Sequence, residues 1–294
     1  MVTVKKKKTG KQTYFYLEHS IREGNDVIKK EKYLGKKIPK NIEELKKQFL
    51  SEIYKEKWYP LLDKIKKNYS KEKKQTPKAA KEKNLQTFVV RFTYDTQRIE
   101  GSALSLRETA NLLEKGVSPK EKPIEDVKEA EAHEKLFFEI LKFKKDLSLQ
   151  IVLYWHKKFL QNTKPKIAGQ IRKYQVLISG SKFTPPFPAE LNVLLRDFFR
   201  WYNKNKDTMH PLELAASVHL KFVTIHPFAD GNGRISRLMM NFILHKHKYP
   251  MLDIHYENRT SYYNALERSQ VKEQDSTFIQ WFFRRYTKEY RRFL

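Results

Sequence analysis

Apolar residues recur at helical spacing along most of this 294-residue chain. From Asn41, "NIEELKKQFLSEIYKEKWYPLLDKIKKNYS" places Ile42, Leu45, Phe49 and Ile53 on one face and, past a break expected near Pro60, Leu62 and Ile65. The same period organises "LQTFVVRFTYDTQRIEG", "SLRETANLLEKG", "IEDVKEAEAHEKLFFEILKF", "SLQIVLYWHKKFLQ", "PAELNVLLRDFFRWYNK", "PLELAASVHLKFVTIHPF", "GRISRLMMNFILHKHKYP" and the aromatic-rich C-terminal stretch. Two segments read differently. Residues 12–17 ("QTYFYL") and 26–34 ("DVIKKEKYL") have the β-branched and aromatic content of strands around a turn "EGN", and Tyr174, Val176 and Ile178 alternate in an extended segment ended by prolines. The pattern predicts an all-α core, residues 85–294, with one short exposed hairpin. A small β-hairpin appendage, residues 1–40, and a helical connector and linker, residues 41–84 with "KKQTPKAAKEKN" as its loosest part, precede the core.

Composition narrows the chemistry. There is no cysteine, which excludes disulfides, thiol nucleophiles and Cys-based zinc sites. No apolar run of about 18 residues occurs and no signal-peptide core follows the basic N-terminus, so the expectation is a cytoplasmic protein with no membrane association. The formal charge of +26 is compatible with nucleic acid, but the lysines lie among glutamates, as on a solvated helix, and nucleic acid is not the favoured partner. "HEKLF" lacks the second histidine of a helical zinc site, "HKHK" cannot put both imidazoles on one helix face, and no P-loop is present.

The densest chemistry is "HPFADGNGRISR", residues 226–237. Gly231, Asn232 and Gly233 fall between two apolar helices, where backbone N–H groups at a helix N-terminus favour an anion and glycines let phosphate approach. Asp230 beside them could hold Mg²⁺ together with phosphate oxygens. Arg234 and Arg237, three apart, share a face suited to forked phosphate contacts. His226 can accept a proton near neutral pH. Taken singly, each residue also fits a turn, a cap or a solvated surface; the ordered set reads as a nucleotide site with a general base.

The stretch resembles the motif of the Fic (filamentation induced by cAMP) family, HPFx[D/N]GNGRxxR, at every defined position, and the likeness extends from about Thr87 to Asp253. The resemblance implies a Fic-type helical bundle with a short β-hairpin flap. It also implies a protein adenylyltransferase that moves AMP from Mg-ATP to a Ser, Thr or Tyr hydroxyl of a protein target or of the enzyme itself. His226 would be the catalytic base, Asp230 the Mg²⁺ ligand, Asn232 with the amides of Gly231 and Gly233 the anion hole, and Arg234 and Arg237 the β- and γ-phosphate contacts. Tyr262 and Tyr263 in "SYYNAL" would lie on the adenine side, although paired helical tyrosines equally suit a core. The flap, with Val176 and Ile178, would hold the target by strand addition. The related Doc branch, a γ-phosphate transferase, carries lysine where this chain has Gly233, so AMP transfer is favoured.

"TQRIEG" resembles the family's inhibitory motif [S/T]xxxE[G/N] through Thr96, Glu100 and Gly101, implying autoinhibition by Glu100 from an N-terminal inhibitory helix. Alone, the stretch would also serve as a helix end with a surface carboxylate. Three matters stay open in the sequence: whether AMP is transferred or removed with Glu100 positioning water, whether the Fic core is vestigial in a basic binding module, and whether the chain forms a homodimer.

Overall fold

A computed structural model describes residues 2–23 and 26–294; the expected turn at Gly24–Asn25 lies outside the described residues. The chain divides into two compact units, Met1–Asp63 and Lys64–Leu294.

The first unit is built on an antiparallel sheet of strands β1 (Thr3–Thr9), β2 (Gln12–Glu23) and β3 (Asp26–Gly35), ordered β1-β2-β3. β2 and β3 are the strands expected from their aromatic and β-branched residues. β1 was not expected, because its run of lysines hides the alternation. Pairing explains why it forms: Val4 is opposite Leu17 on one face, and Lys5 and Lys7 alternate onto the other, where the Lys7 ammonium meets Glu31 of β3 at 2.6 Å. The opposite face puts Val2, Leu17 and Ile21 against Phe49 and Ile53 of helix α1 (Ile42–Gln75).

Two expectations for this region are corrected. Helix α1 runs through Pro60 without a break, because one lost backbone hydrogen bond is offset by burial of Trp58 and Leu62 on either side of the proline. The expected linker is mostly helical as well, since α1 reaches Gln75 and α2 (Lys78–Ile99) begins directly after Pro77, a residue suited to a helix start.

The second unit is all-α. Besides α2 it contains α3 (Leu106–Lys115), α4 (Ile124–Lys142), α5 (Leu149–Leu160), α6 (Leu191–Asn205), α7 (Pro211–Ile225), α8 (Asn232–Lys246), α9 (Arg259–Val271) and α10 (Asp275–Glu289). Its centre is the α7/α8 pair. From Asn232 to Leu244 every α8 residue but Gly233 is buried, and most of α7 is buried too, so these two helices are surrounded rather than amphipathic. Helix α3 is fixed at both ends by local chemistry: Ser105 and Glu108 form a capping box, and Gly116 closes it in the left-handed region.

The segment between α5 and α6 is where a short β-hairpin was expected, and that expectation is corrected. The segment is extended but pairs in no strand ladder. Pro185 and Pro186 have no N–H to give, and side chains join the two arms instead: Arg172 Nη2 donates to the Pro186 carbonyl at 2.6 Å and Gln175 Nε2 to that of Pro185 at 2.8 Å. Among the described residues no helix is long and apolar enough to cross a membrane.

Candidate functional site

The site forms where α7 ends and α8 begins. His226 closes α7 in the left-handed region, at φ 51°, which turns its side chain out of the helical path. The loop that follows is locked by one amide side chain. Asn232 Oδ1 accepts the Phe228 N–H at 2.9 Å, and its Nδ2 donates to the Phe228 carbonyl at 2.8 Å. Gly231, at φ 82°, occupies the N-cap of α8, a conformation costly for any residue with a β-carbon, and a β-carbon there would also meet the His156 ring.

Two residues outside the motif support the loop from beneath. The His156 ring stacks on Phe228, centroids 3.7 Å apart and nearly parallel. Its Nδ1 accepts the Gly169 N–H at 2.8 Å, so Nε2 carries the proton and donates to the Asp230 carbonyl at 2.9 Å. Burial pushes its pKa down to about 4, which keeps this neutral tautomer in place. Arg172, 4% exposed, donates from Nε to the His226 carbonyl at 2.8 Å and from its backbone N–H to the Pro227 carbonyl at 2.9 Å, tying the start of the flap to the loop.

His226 Nδ1 lies 3.1 Å from the Val223 carbonyl. Donation to that oxygen leaves Nε2 with a free lone pair. Burial lowers the His226 pKa from its ordinary value, opposed by the Val223 carbonyl and by Glu100. The imidazole is therefore neutral and able to take a proton at pH 7.

Asp230 is the hub of an ionic network. Its Oδ1 accepts the Gly231 N–H at 2.5 Å and Arg234 Nη2 at 2.8 Å, and its Oδ2 meets the Lys164 ammonium at 2.7 Å. Burial pushes its carboxyl up, but Arg234, Lys164 and the Gly231 amide together outweigh it and hold Asp230 well below the usual carboxylate range. Arg234, 4% exposed, also pairs through Nη1 with Glu129 and with Gln97 Oε1. Both terminal nitrogens of its guanidinium are thus engaged with protein groups, while its buried Nε has no hydrogen-bond partner among the described residues.

Arg237 is still deeper, 1% exposed, yet its partners converge from α2. Nε donates to Thr96 Oγ1 at 2.7 Å, and Nη2 to the Thr96 carbonyl at 3.2 Å and to Glu100 Oε1 at 2.5 Å. Burial works against this charge, and the combined pull of Glu100, Tyr262 and Tyr263 outweighs it, so the guanidinium stays charged. Glu100 follows the last turn of α2, and Gly101, at φ 100°, turns the chain away behind it. The same Glu100 oxygen sits where a β-carbon on Gly233 would project. A carboxylate therefore rests on the first turn of α8, where the helix dipole and N–H groups without intrahelical acceptors favour an anion.

Most of the sequence-derived residues thus converge, with one pair divided. Tyr262 is 1% exposed; its hydroxyl lies 2.9 Å from His219 Nε2 and 3.3 Å from Arg237 Nη1, so it braces the arginine and its ring is closed to a ligand. Tyr263 is 44% exposed, with its hydroxyl on the Ile99 carbonyl at 2.9 Å. In the flap, Val176 and Ile178 are half-buried, whereas Leu177 and Tyr174 are the exposed side chains. Gln97, Glu129, His156, Lys164, Arg172 and His219 were not singled out by sequence reasoning as site residues. Only their spacing from the motif across separate helices makes them neighbours, and no local pattern announces that.

Comparison with known proteins agrees with this geometry. A model of the Fic/DOC family matches residues 146–244. The chain is 35% identical over 178 residues to the protein adenylyltransferase Fic of Drosophila ananassae, a match covering 59% of this chain and 35% of that protein. It is 36% identical over 183 residues to the protein adenylyltransferase Fic of Aedes aegypti, covering 60% and 36%. The matched region thus spans about a third of the length of these curated relatives. Among solved structures, a Fic-domain-containing signaling protein from Bacteroides thetaiotaomicron superposes with a TM-score of 0.69 at 28% identity, covering 77% of this chain and 94% of that one. Fic-1 of C. elegans (residues 134–508) gives 0.71 at 25% identity, covering 87% and 77%. An unbroken motif, its loop geometry and these relatives agree that residues 146–244 match the Fic/DOC family.

Proposed function

We propose that the protein is an adenylyltransferase that moves AMP from ATP to a hydroxyl of a protein, and that Glu100 holds it in an inhibited state. The observation that carries this reading is the double placement of the Glu100 carboxylate, on the N-terminal turn of α8 and on Arg237. An anion is already seated where phosphate would bind, and it belongs to the chain itself.

In this reading the amides of α8 and the locked Asn232 loop receive the phosphates. Arg237 takes the γ-phosphate once Glu100 leaves. The two anions compete for one guanidinium, and the carboxylate also repels the phosphate. His226, neutral with Nε2 unprotonated, removes the proton of the attacking hydroxyl as it adds to the α-phosphorus and pyrophosphate departs. Arg234 acts from behind, because its guanidinium is committed to Asp230, Glu129 and Gln97; we assign it to orienting Asp230 rather than to phosphate.

Asp230 fits a magnesium ion. Its Oδ2 already carries a cation, the Lys164 ammonium, in a half-exposed position beside the helix N-terminus. When bound with ATP, magnesium would supply charge neutralisation of the phosphates there. Lys164 would then turn fully to Glu129, which it already meets at 2.9 Å. The flap's exposed Leu177 and Tyr174 offer side chains to the target, and its backbone offers strand addition.

Incubation with cell lysate and ATP labelled at either the α- or the γ-phosphate tests the reaction class. Label entering protein from α-labelled ATP alone supports AMP transfer. Label entering from γ-labelled ATP alone would overturn the reading in favour of phosphate transfer.

A further inference from the structure

Outside the motif, Asp95 of α2 converges with Asp253 and His255, which lie between α8 and α9. One ligand atom from each lies within 4.8 Å of the others. Asp95 and Asp253 are 1% and 4% exposed. Asp95 Oδ1 accepts the Tyr256 N–H at 2.7 Å, but among the described residues no hydrogen-bond donor serves Asp95 Oδ2 or either oxygen of Asp253. The charged groups around the cluster are Arg91, whose Nε stands 3.7 Å from Asp95 Oδ2, and His255, whose Nε2 stands 3.9 Å from Asp253 Oδ2 and 3.8 Å from Glu289 Oε1, a carboxylate that Arg285 already pairs at 3.0 Å.

Two carboxylates withdrawn from water and facing one another need a proton or a cation between them. The third group decides between the two. A proton-sharing pair has no use for an imidazole at the same point, whereas two carboxylates and an imidazole nitrogen form a mixed O/N donor set suited to a first-row transition metal rather than to Mg²⁺ or Ca²⁺, which prefer all-oxygen sites.

We propose that Asp95, Asp253 and His255 form a binding site for a divalent transition-metal ion of the zinc type. Three protein ligands leave a fourth position for water. His255, with 17% of its side chain exposed, is the point of entry. The ion would tie the C-terminal part of α2 to the segment before α9. Asp95 immediately precedes Thr96, whose hydroxyl and carbonyl both hold Arg237, so the site anchors the helix that presents Glu100.

The test is calorimetric titration of Zn²⁺ into the EDTA-treated full chain without nucleotide, followed by thermal denaturation with and without the ion. The parent should show one tight site that raises Tm. Asp253→Asn and His255→Ala should each weaken it by more than the roughly 10- to 100-fold that loss of an outer-shell partner costs. Asp253→Asn keeps the experiment decisive about folding, since its amide can donate to Asp95 Oδ2 and one buried charge is removed. Its metal-free Tm should be no lower than the parent's. Zinc held by His245 or His247 would appear equally in all three proteins. Absence of the tight site in the parent, or its survival in folded Asp253→Asn, would overturn the proposal and leave the cluster as a proton-sharing pair.

Discussion

Glu100 Oε1 accepts a hydrogen bond from Arg237 Nη2 at 2.5 Å, joining the end of α2 to the first turns of α8 across 137 residues of sequence. The regulation proposed for the site follows from this pair, since the Nη2 donors of Arg237 are taken by Glu100 and the Thr96 carbonyl.

The Glu100 carboxylate also crowds position 233, where a β-carbon would meet Glu100 Oε1 and lie 3.1 Å from Arg237 Nη1. Alanine in the first turn of a helix ordinarily stabilises relative to glycine by roughly 0.5–1 kcal/mol. Here its β-carbon would collide with Glu100 Oε1. Gly233→Ala should therefore destabilise the parent but be neutral or stabilising in a Glu100→Gly background, with a coupling of about 1–3 kcal/mol in a double-mutant cycle read by denaturant unfolding. Equal effects in both backgrounds would separate the two residues.

Removing the base should leave binding. His226 makes no contact assigned to nucleotide, so His226→Ala should retain Mg-ATP affinity in calorimetry and lose roughly 10²- to 10⁴-fold in transfer rate. Because burial lowers the His226 pKa, the free base persists below the pH at which an exposed histidine protonates. The acid limb of the rate profile should have its midpoint below pH 6.5, the ordinary value, and a midpoint above it would contradict the assignment.

Asp230 has a distinct signature. Asp230→Ala should weaken nucleotide binding in the presence of Mg²⁺ far more than in its absence, since only the former uses the carboxylate. The contact from Lys164 predicts more: Lys164→Ala removes the resident cation, so Mg-ATP should bind at least as tightly as in the parent. Calorimetry with and without Mg²⁺ decides both, and equal binding by parent and Asp230→Ala would reduce the aspartate to a cap.

Three buried histidines set the acid limit of the fold. Burial pushes the pKa of His133 and His219 down to about 3 and that of His156 to about 4, while the unfolded chain binds those protons near pH 6.5. Between these values the unfolded state holds more protons, so stability is fully present above pH 6.5 and falls as pH falls. Each histidine should contribute about 1.4 kcal/mol per pH unit in that window. His133→Gln should flatten the pH dependence of unfolding free energy by about one proton, and an unchanged slope would contradict it.

How much of this was legible beforehand depended on range. The helices of the second unit could be read from their period and the two aromatic strands from their composition, and the motif placed His226, Asp230 and the glycines at one helix start. What escaped were features created by pairing at a distance. β1 is a lysine run whose strand character comes from pairing with β2 along its whole length, with Val4 opposite Leu17. Pro60 was read as a break because local chemistry says so, and burial of its neighbours overrides it. Arg234 and Arg237 look equivalent in sequence. The structure sets them apart by what surrounds them: carboxylates and an amide on Arg234, and Thr96, Tyr262 and the single carboxylate of Glu100 on Arg237.

The most direct test of the central claim compares transfer of α-label from ATP by the parent, by Glu100→Gly and by Glu100→Gly combined with Arg237→Ala, each first shown to be folded. The account predicts little label from the parent, a clear increase on removing the carboxylate, and loss of that increase when the arginine is removed as well. Label from Glu100→Gly no greater than from the parent, with Mg-ATP still bound, would contradict it.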